Sequence, residues 1–340
     1  LKKSKELFMI KINCKPCFAF DALAAITLFK ANRDGFRNDI PYVKEQLEKY
    51  FAEIEIAASN CYFNYFIEHY SFDEIEKMGL NEFAESYPNC IKGKDYEKEI
   101  LKGIDILVAM DFTKLWEIHC LPFLSKQCDG FNSVLKDNTV SGVLSDIQNL
   151  KPDKEINDIN IYLTYFSWPV SFNLSPTSYL TNHGGNIDYN IKSVLRMFAH
   201  ELIHGVSNEK SRSIYKNMYK NDDLLKKTNH VLFVNKGSPS DEEEFVVALE
   251  HYISFKNGII TKKEAFESLF FYYESCMPIA IIIFAELLFK EIKIPDDINS
   301  WIYGLFESGV IKVNEIEQKV NSILPGYVDN FIKIWYNDEK

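Results

Sequence analysis

Between residues 159 and 174 the chain reads INIYLTYFSWPVSFNL, and its apolar and polar positions alternate. Ile159, Ile161, Leu163 and Tyr165 fall on one side, Asn160, Tyr162 and Thr164 on the other, a period of two that predicts a strand. Pro169 has no N–H to give a ladder, so it ends that strand or marks an edge. A second short strand is expected over 177–185, TSYLTNHGG. The period then changes. Ile191, Val194, Leu195, Phe198 and Leu202 recur at helical spacing and fall in one stripe, with Asp188 as N-cap after the breaker pair Gly184-Gly185. GSPSDEEEFVVALEHYISF, 237–255, predicts another helix. Ser238 caps it, Pro239 takes the first helical position, Asp241 completes a capping box, and Phe245, Leu249, Tyr252 and Ile253 form its core face. MPIAIIIFAELLF, 277–289, is too short to span a bilayer and contains Glu286, so it reads as a buried helix begun by Pro278.

Residues 18–150 are mainly of helical pattern. DIPYVKEQLEKYFAEIEIAAS and FTKLWEIHCLPFLSKQCDGFNSVL both mix apolar and polar residues at helical spacing. Pro152 and the polar stretch 151–158 make a soft boundary. The expected fold class is α+β and helix-dominated, with a small mixed or antiparallel sheet. It divides into a mainly helical region, 1–155, and a region, 156–340, that holds the strands and the later helices.

The chemistry concentrates in RMFAHELIHGVSN, 196–208. With 7 His and 49 acidic residues in 340, random placement would give only about 0.02 occurrences of His-acid-x-x-His. On the helical wheel His200 and His204 project roughly opposite the apolar stripe, so they face a cleft or solvent rather than the core. Two imidazoles one turn apart can reach a single Zn²⁺ from one helix face. Glu201, between them, can take the proton from a water that the metal activates.

His200-Glu201-Leu202-Ile203-His204 resembles the signature of zincin metallopeptidases. The same pentapeptide is found in clostridial neurotoxin light chains, and that likeness covers the motif helix and one later helix. What carries over is the superfamily, not the toxin activity. The metzincin pattern would need Gly and His where Ser207 and Lys210 stand, so the resemblance is to the gluzincin branch, whose third ligand is a glutamate on a later helix. The acidic start of 237–255 offers Glu242, Glu243, Glu244 and Glu250. Glu244-Phe245 resembles the start of the third-ligand helix in some toxin-like gluzincins, and Glu244 borders the buried face of the wheel; it ranks first. Glu243, favoured by its first-turn position, is the alternative, followed by Glu242 and Glu250. The same acids also suit any helix N-terminus. Many gluzincins bond a ligand histidine to a second acid four residues after the ligand; Ala248 stands there, so Glu250 or a main-chain carbonyl would have to serve. The resemblance also implies a substrate-pairing edge strand beside the motif helix. The oxyanion donor stays open among Tyr179, His230, His251, Tyr252, Tyr272 and Tyr273, with His251 on the Glu244 side.

Composition narrows the partners. A net charge of −11 argues against nucleic acid or an anionic membrane surface. Seven scattered cysteines suit reduced thiols in a cytoplasm better than a disulfide scaffold. Cys14 and Cys17, in CKPC, read as structural rather than redox-active. Lysine outnumbers arginine, and Ile, Asn, Tyr and Phe are abundant, as in proteins of low-GC bacteria. The expectation is therefore a zinc metallopeptidase with Zn²⁺ on His200, His204 and Glu244 or Glu243, Glu201 as general base, and a peptide or protein substrate. The alternatives are a non-catalytic zincin-like or structural-zinc protein used for protein binding, or a zinc hydrolase of non-peptide amides.

Overall fold

The computed structural model describes residues 11–28, 45, 48, 61–134, 138–150, 158–166, 172–175, 177–182, 191–204, 206–236, 242–271, 276–289, 295 and 297–336. It is helix-dominated, with a four-stranded mixed sheet among the described residues. Contacts gather the chain into two compact units, residues 1–136 with 156–190 and residues 137–155 with 191–340. The strands group with the N-terminal helices, and the helix Asn138–Leu150 groups with the motif helix.

In the first unit β1 (Lys11–Pro16) runs into α1 (Phe18–Thr27). All ten α1 residues are buried, which its nearly uninterrupted apolar sequence FAFDALAAIT requires. Helices α2 (Cys61–His69), α3 (Phe72–Ile75), α4 (Leu80–Ile91) and α5 (Glu97–Ala109) follow. Then α6 (Phe112–Leu115) continues through a π-helical turn, Trp116–Cys120, into α7 (Leu121–Val134). The second of the two N-terminal helical patterns is thereby observed; the first, 39–59, lies almost wholly outside the described residues.

The sheet order is β1-β2-β4-β3, with β2 (Asp158–Thr164), β3 (Phe172–Ser175) and β4 (Ser178–Asn182). β1 and β4 both lie parallel to β2, and β3 is antiparallel to β4. β2 is covered on both faces: Tyr162 and Thr164 are as buried as Ile159, Ile161 and Leu163. The alternation in its sequence therefore does not mark a solvent face, as expected of a central strand in a parallel arrangement. The single strand expected over 159–174 is two strands. It ends after Thr164 because the next two amides leave the ladder: Tyr165 N and Phe166 N donate to Asp21 Oδ1 at 2.6 and 3.4 Å. Pro169 lies outside the described residues.

Asp21 also accepts from Trp116 Nε1 at 2.7 Å, so one fully buried carboxyl ties α1, the π-helical turn and the end of β2 together. Burial pushes its pKa up to about 7 against the opposing effect of these three donors. The folded chain thus holds this proton more tightly than the unfolded chain does. The stability this contributes is complete below the ordinary aspartate value and is lost as pH rises through about 7. Unfolding free energy should fall by about 2–3 kcal/mol from pH 5 to pH 8 on this account. Urea melts at the two pH values check it. Asp21→Asn should remove this component of the dependence while costing about 1–3 kcal/mol, because its amide N–H₂ would confront the Trp116 N–H.

Cys14 lies within β1 and Cys17 is the N-cap of α1, and both are free thiols. Cys14 Sγ lies 3.5 Å from Cys128 Sγ, and the Cys128 contact and burial push the Cys14 thiol well above its ordinary value. That disfavours the reactive thiolate. Asn132, one turn beyond Cys128, accepts from Cys14 N and donates to Cys14 O, both at 3.1 Å, standing in for a strand neighbour on β1.

The second unit consists of helices among the described residues: α8 (Asn138–Leu150), α9 (Ile191–Ile203), α10 (Glu209–Asn221), α11 (Asp223–Lys236), α12 (Glu243–Lys256), α13 (Lys262–Phe271), α14 (Pro278–Phe289), α15 (Ile298–Glu307), α16 (Ile316–Ile323) and α17 (Tyr327–Phe331). α12 is its axis. Every residue from Glu244 to Ser254 is buried, and α9 and α14 pack against it. α14 begins at Pro278 and is buried continuously from Pro278 to Ala285, as its sequence predicts. α8 holds the far end of α12: Asp146 accepts from Lys256 Nζ at 2.5 Å and Asn257 Nδ2 at 2.9 Å. Gly142 leaves room for this, since a Cβ there would collide with Asn257 Oδ1. Among the described residues no helix is long and apolar enough to cross a membrane.

Candidate metal centre

α9 carries His200, as the helical pattern predicts, and His204 follows directly on its last residue. Leu195, Ala199, Leu202 and Ile203 are buried, whereas His200 and His204 are half-buried. The expected cap at Asp188 and the neighbouring Gly184, Gly185, His183 and Gly205 lie outside the described residues. The facing acids come from the start of α12. The helix begins at Glu243 with Glu242 as its N-cap; the cap and first turn proposed from Ser238, Pro239 and Asp241 lie outside the described residues.

His200 Nε2 and His204 Nε2 are 3.3 Å apart. Glu243 Oε1 is 3.3 Å from His200 Nε2, and Glu243 Oε2 is 3.7 Å from His204 Nε2. These donors all lie within 4.8 Å of one another. A tetrahedral zinc ion with bonds of about 2.0–2.2 Å holds its donors roughly 3.3–3.6 Å apart. Two imidazole nitrogens and a carboxylate are donors that such an ion takes, and the separation of the two nitrogens suits it; the two short carboxylate distances are to different oxygens of Glu243. Side-chain exposures of 24% for His200 and 16% for Glu243 leave the cluster within reach of solvent. Burial lowers the His200 pKa, but the Glu243 hydrogen bond and charge, helped by Glu201 and Glu250, outweigh it and push it up to about 9. A cation placed here would take over the compensation of these charges from that proton.

Glu244, ranked first from the sequence, is not in the cluster. It is fully buried, and its carboxyl accepts from Tyr219 Oη at 2.9 Å, Ile279 N at 2.5 Å and Ala280 N at 3.1 Å. It therefore satisfies amides in the first turn of α14 that have no partner within their own helix. Burial pushes its pKa up to about 7 despite those donors. The reason for the shift from Glu244 to Glu243 is local register: consecutive helix positions diverge by about 100°, and the position that borders the core is drawn wholly into it.

Glu250 does not bond His200 or His204 either. Arg196 Nε and an Arg196 terminal nitrogen reach its two oxygens at 2.7 and 3.1 Å, and Ser254 Oγ donates at 2.9 Å. Burial opposes its charge, but His251 and Arg196 hold its carboxyl well below the usual carboxylate range. His251, offered as an oxyanion donor, is fully buried in the same network, with Nδ1 2.9 Å from Val247 O and Nε2 3.1 Å from Arg196.

The partner of His204 is Glu242, whose Oε1 lies 3.0 Å from Nδ1. The Ser207 hydroxyl donates to the other Glu242 oxygen. Comparison with protein families, curated proteins and solved structures finds no match. The site's chemistry therefore rests on its own geometry. Glu201 is half-buried on α9, between the two histidines in sequence.

Proposed function

We propose that the chain is a zinc-dependent metallopeptidase with a zincin-like centre formed by His200, His204 and Glu243. The observation that carries this reading is the convergence of the two Nε2 atoms of the HELIH segment and the Glu243 carboxylate, with donor atoms within 4.8 Å of one another. When bound, zinc would lower the pKa of a water to about 7 and polarise a carbonyl. The chain's own part is proton handling and positioning. Glu201 accepts the proton of the attacking water on its carboxylate and passes it to the leaving amine nitrogen. Glu243 neutralises charge at the centre, and α12, buried along nearly its whole length, keeps it in place. The substrate under this reading is a peptide or protein.

The test is metal content. Protein purified without chelators should carry about one zinc per chain by elemental analysis. It should cleave members of a mixed peptide library and lose that activity on dialysis against a chelator. A chain with no measurable zinc affinity would remove the proposal.

A further inference from the structure

We propose that Glu242, anchored by Ser207, is the positioning residue that orients His204 toward the metal; this rests on the metal-centre reading above. His204 has two nitrogens with different neighbours. Nε2 faces His200 and Glu243, while Nδ1 faces Glu242 Oε1 at 3.0 Å. A carboxylate can only accept, so it keeps the hydrogen on Nδ1 and leaves the Nε2 lone pair for a cation. Ser207 Oγ donates to the second Glu242 oxygen and so fixes the plane of the carboxylate.

The position of Glu242 supports the assignment. It is the N-cap of α12, where a polar side chain ordinarily accepts from its own helix. Glu242 makes no such side-chain bond. Its carboxylate is turned to His204 and Ser207 instead. Ser207, three residues beyond His204 and only 5% exposed, ties the chain leaving α9 back to the start of α12. One helix start thus supplies both the carboxylate donor, Glu243, and the group that orients a second donor, Glu242. The other acid that could have served, Glu250, is engaged by Arg196, His251 and Ser254.

Zinc competition titrations against a coloured chelator test this on the full chain, with cobalt(II) absorption as a second readout. Glu242→Ala should weaken zinc binding ~10–100-fold and alter the visible cobalt spectrum. Glu242→Gln should recover most of the affinity, because its carbonyl oxygen can still accept from Nδ1. Ser207→Ala should cost less than Glu242→Ala and add nothing in the Glu242→Ala background, since Ser207 acts through Glu242. Thermal melts of the metal-free variants show that each is folded. Wild-type affinity in Glu242→Ala, or additive losses in the double variant, would overturn the proposal. So would a loss as complete as that of Glu243→Ala, which would make Glu242 a ligand. A wild-type chain that binds no zinc is a different result: it overturns the metal-centre reading itself, and this inference with it.

Discussion

Glu201→Gln is expected to retain both zinc and fold while hydrolysis of a peptide library falls at least ~100-fold. Glutamine matches glutamate in shape, but its amide cannot take a proton from water. The substitution therefore separates metal binding from base catalysis. His200, His204 and Glu243 are untouched, so zinc content by elemental analysis should equal that of wild type, and the thermal midpoint should change little at this half-buried position. Near-normal turnover with zinc in place would show that Glu201 is not the base. It would favour a structural zinc site, or a protein-binding role for the same helices.

The second large effect separates two adjacent acids. Glu243→Ala should reduce zinc affinity by more than the ~10–100-fold typical of an outer partner, because it removes one of three donors. Glu244→Gln should leave zinc affinity within a few-fold, since the Glu244 carboxyl serves α14 and Tyr219. Glu244→Ala should instead destabilise the chain by at least ~2 kcal/mol, leaving the Ile279 and Ala280 amides buried without their acceptor. Paired zinc titrations and urea melts distinguish the outcomes. Loss of zinc in Glu244→Gln with retention in Glu243→Ala would reverse the ligand assignment.

Period and motif made the local elements legible. The helix that carries His200 and ends just before His204, the buried helix opened by Pro278 and the short strand at 178–182 all follow from spacing and breakers. What spacing could not show was destination. Tyr162 and Thr164 read as a polar side of β2, yet parallel neighbours and covering helices bury both faces. The acids 242–244 illustrate the same limit. Three consecutive residues on a helix start cannot share a face, so each had to have its own partner. Glu242 goes to His204 and Ser207, Glu243 to the histidine pair, and Glu244 to the first turn of α14. The last partner is 35 residues away in sequence, and no local pattern records it. Reading the run as three destinations, rather than one ligand and two spectators, would have brought Glu242 forward.

The parallel pairing of β1 with β2 also sets a schedule for the nascent chain. Lys11 lies opposite Asp158 and Pro16 opposite Leu163. Once made, β1 therefore waits for a partner about 147 residues further along the chain. At about 5–20 residues per second that delay is roughly 7–30 s. During it α1, which the folded chain buries along its whole length, has no completed sheet to cover it. Asn132 and α7 can engage β1 first, through the Cys14 backbone. Exposure of α1 to chaperones and to aggregation is thus greatest before β2 is made, ahead of the helices of the candidate metal centre.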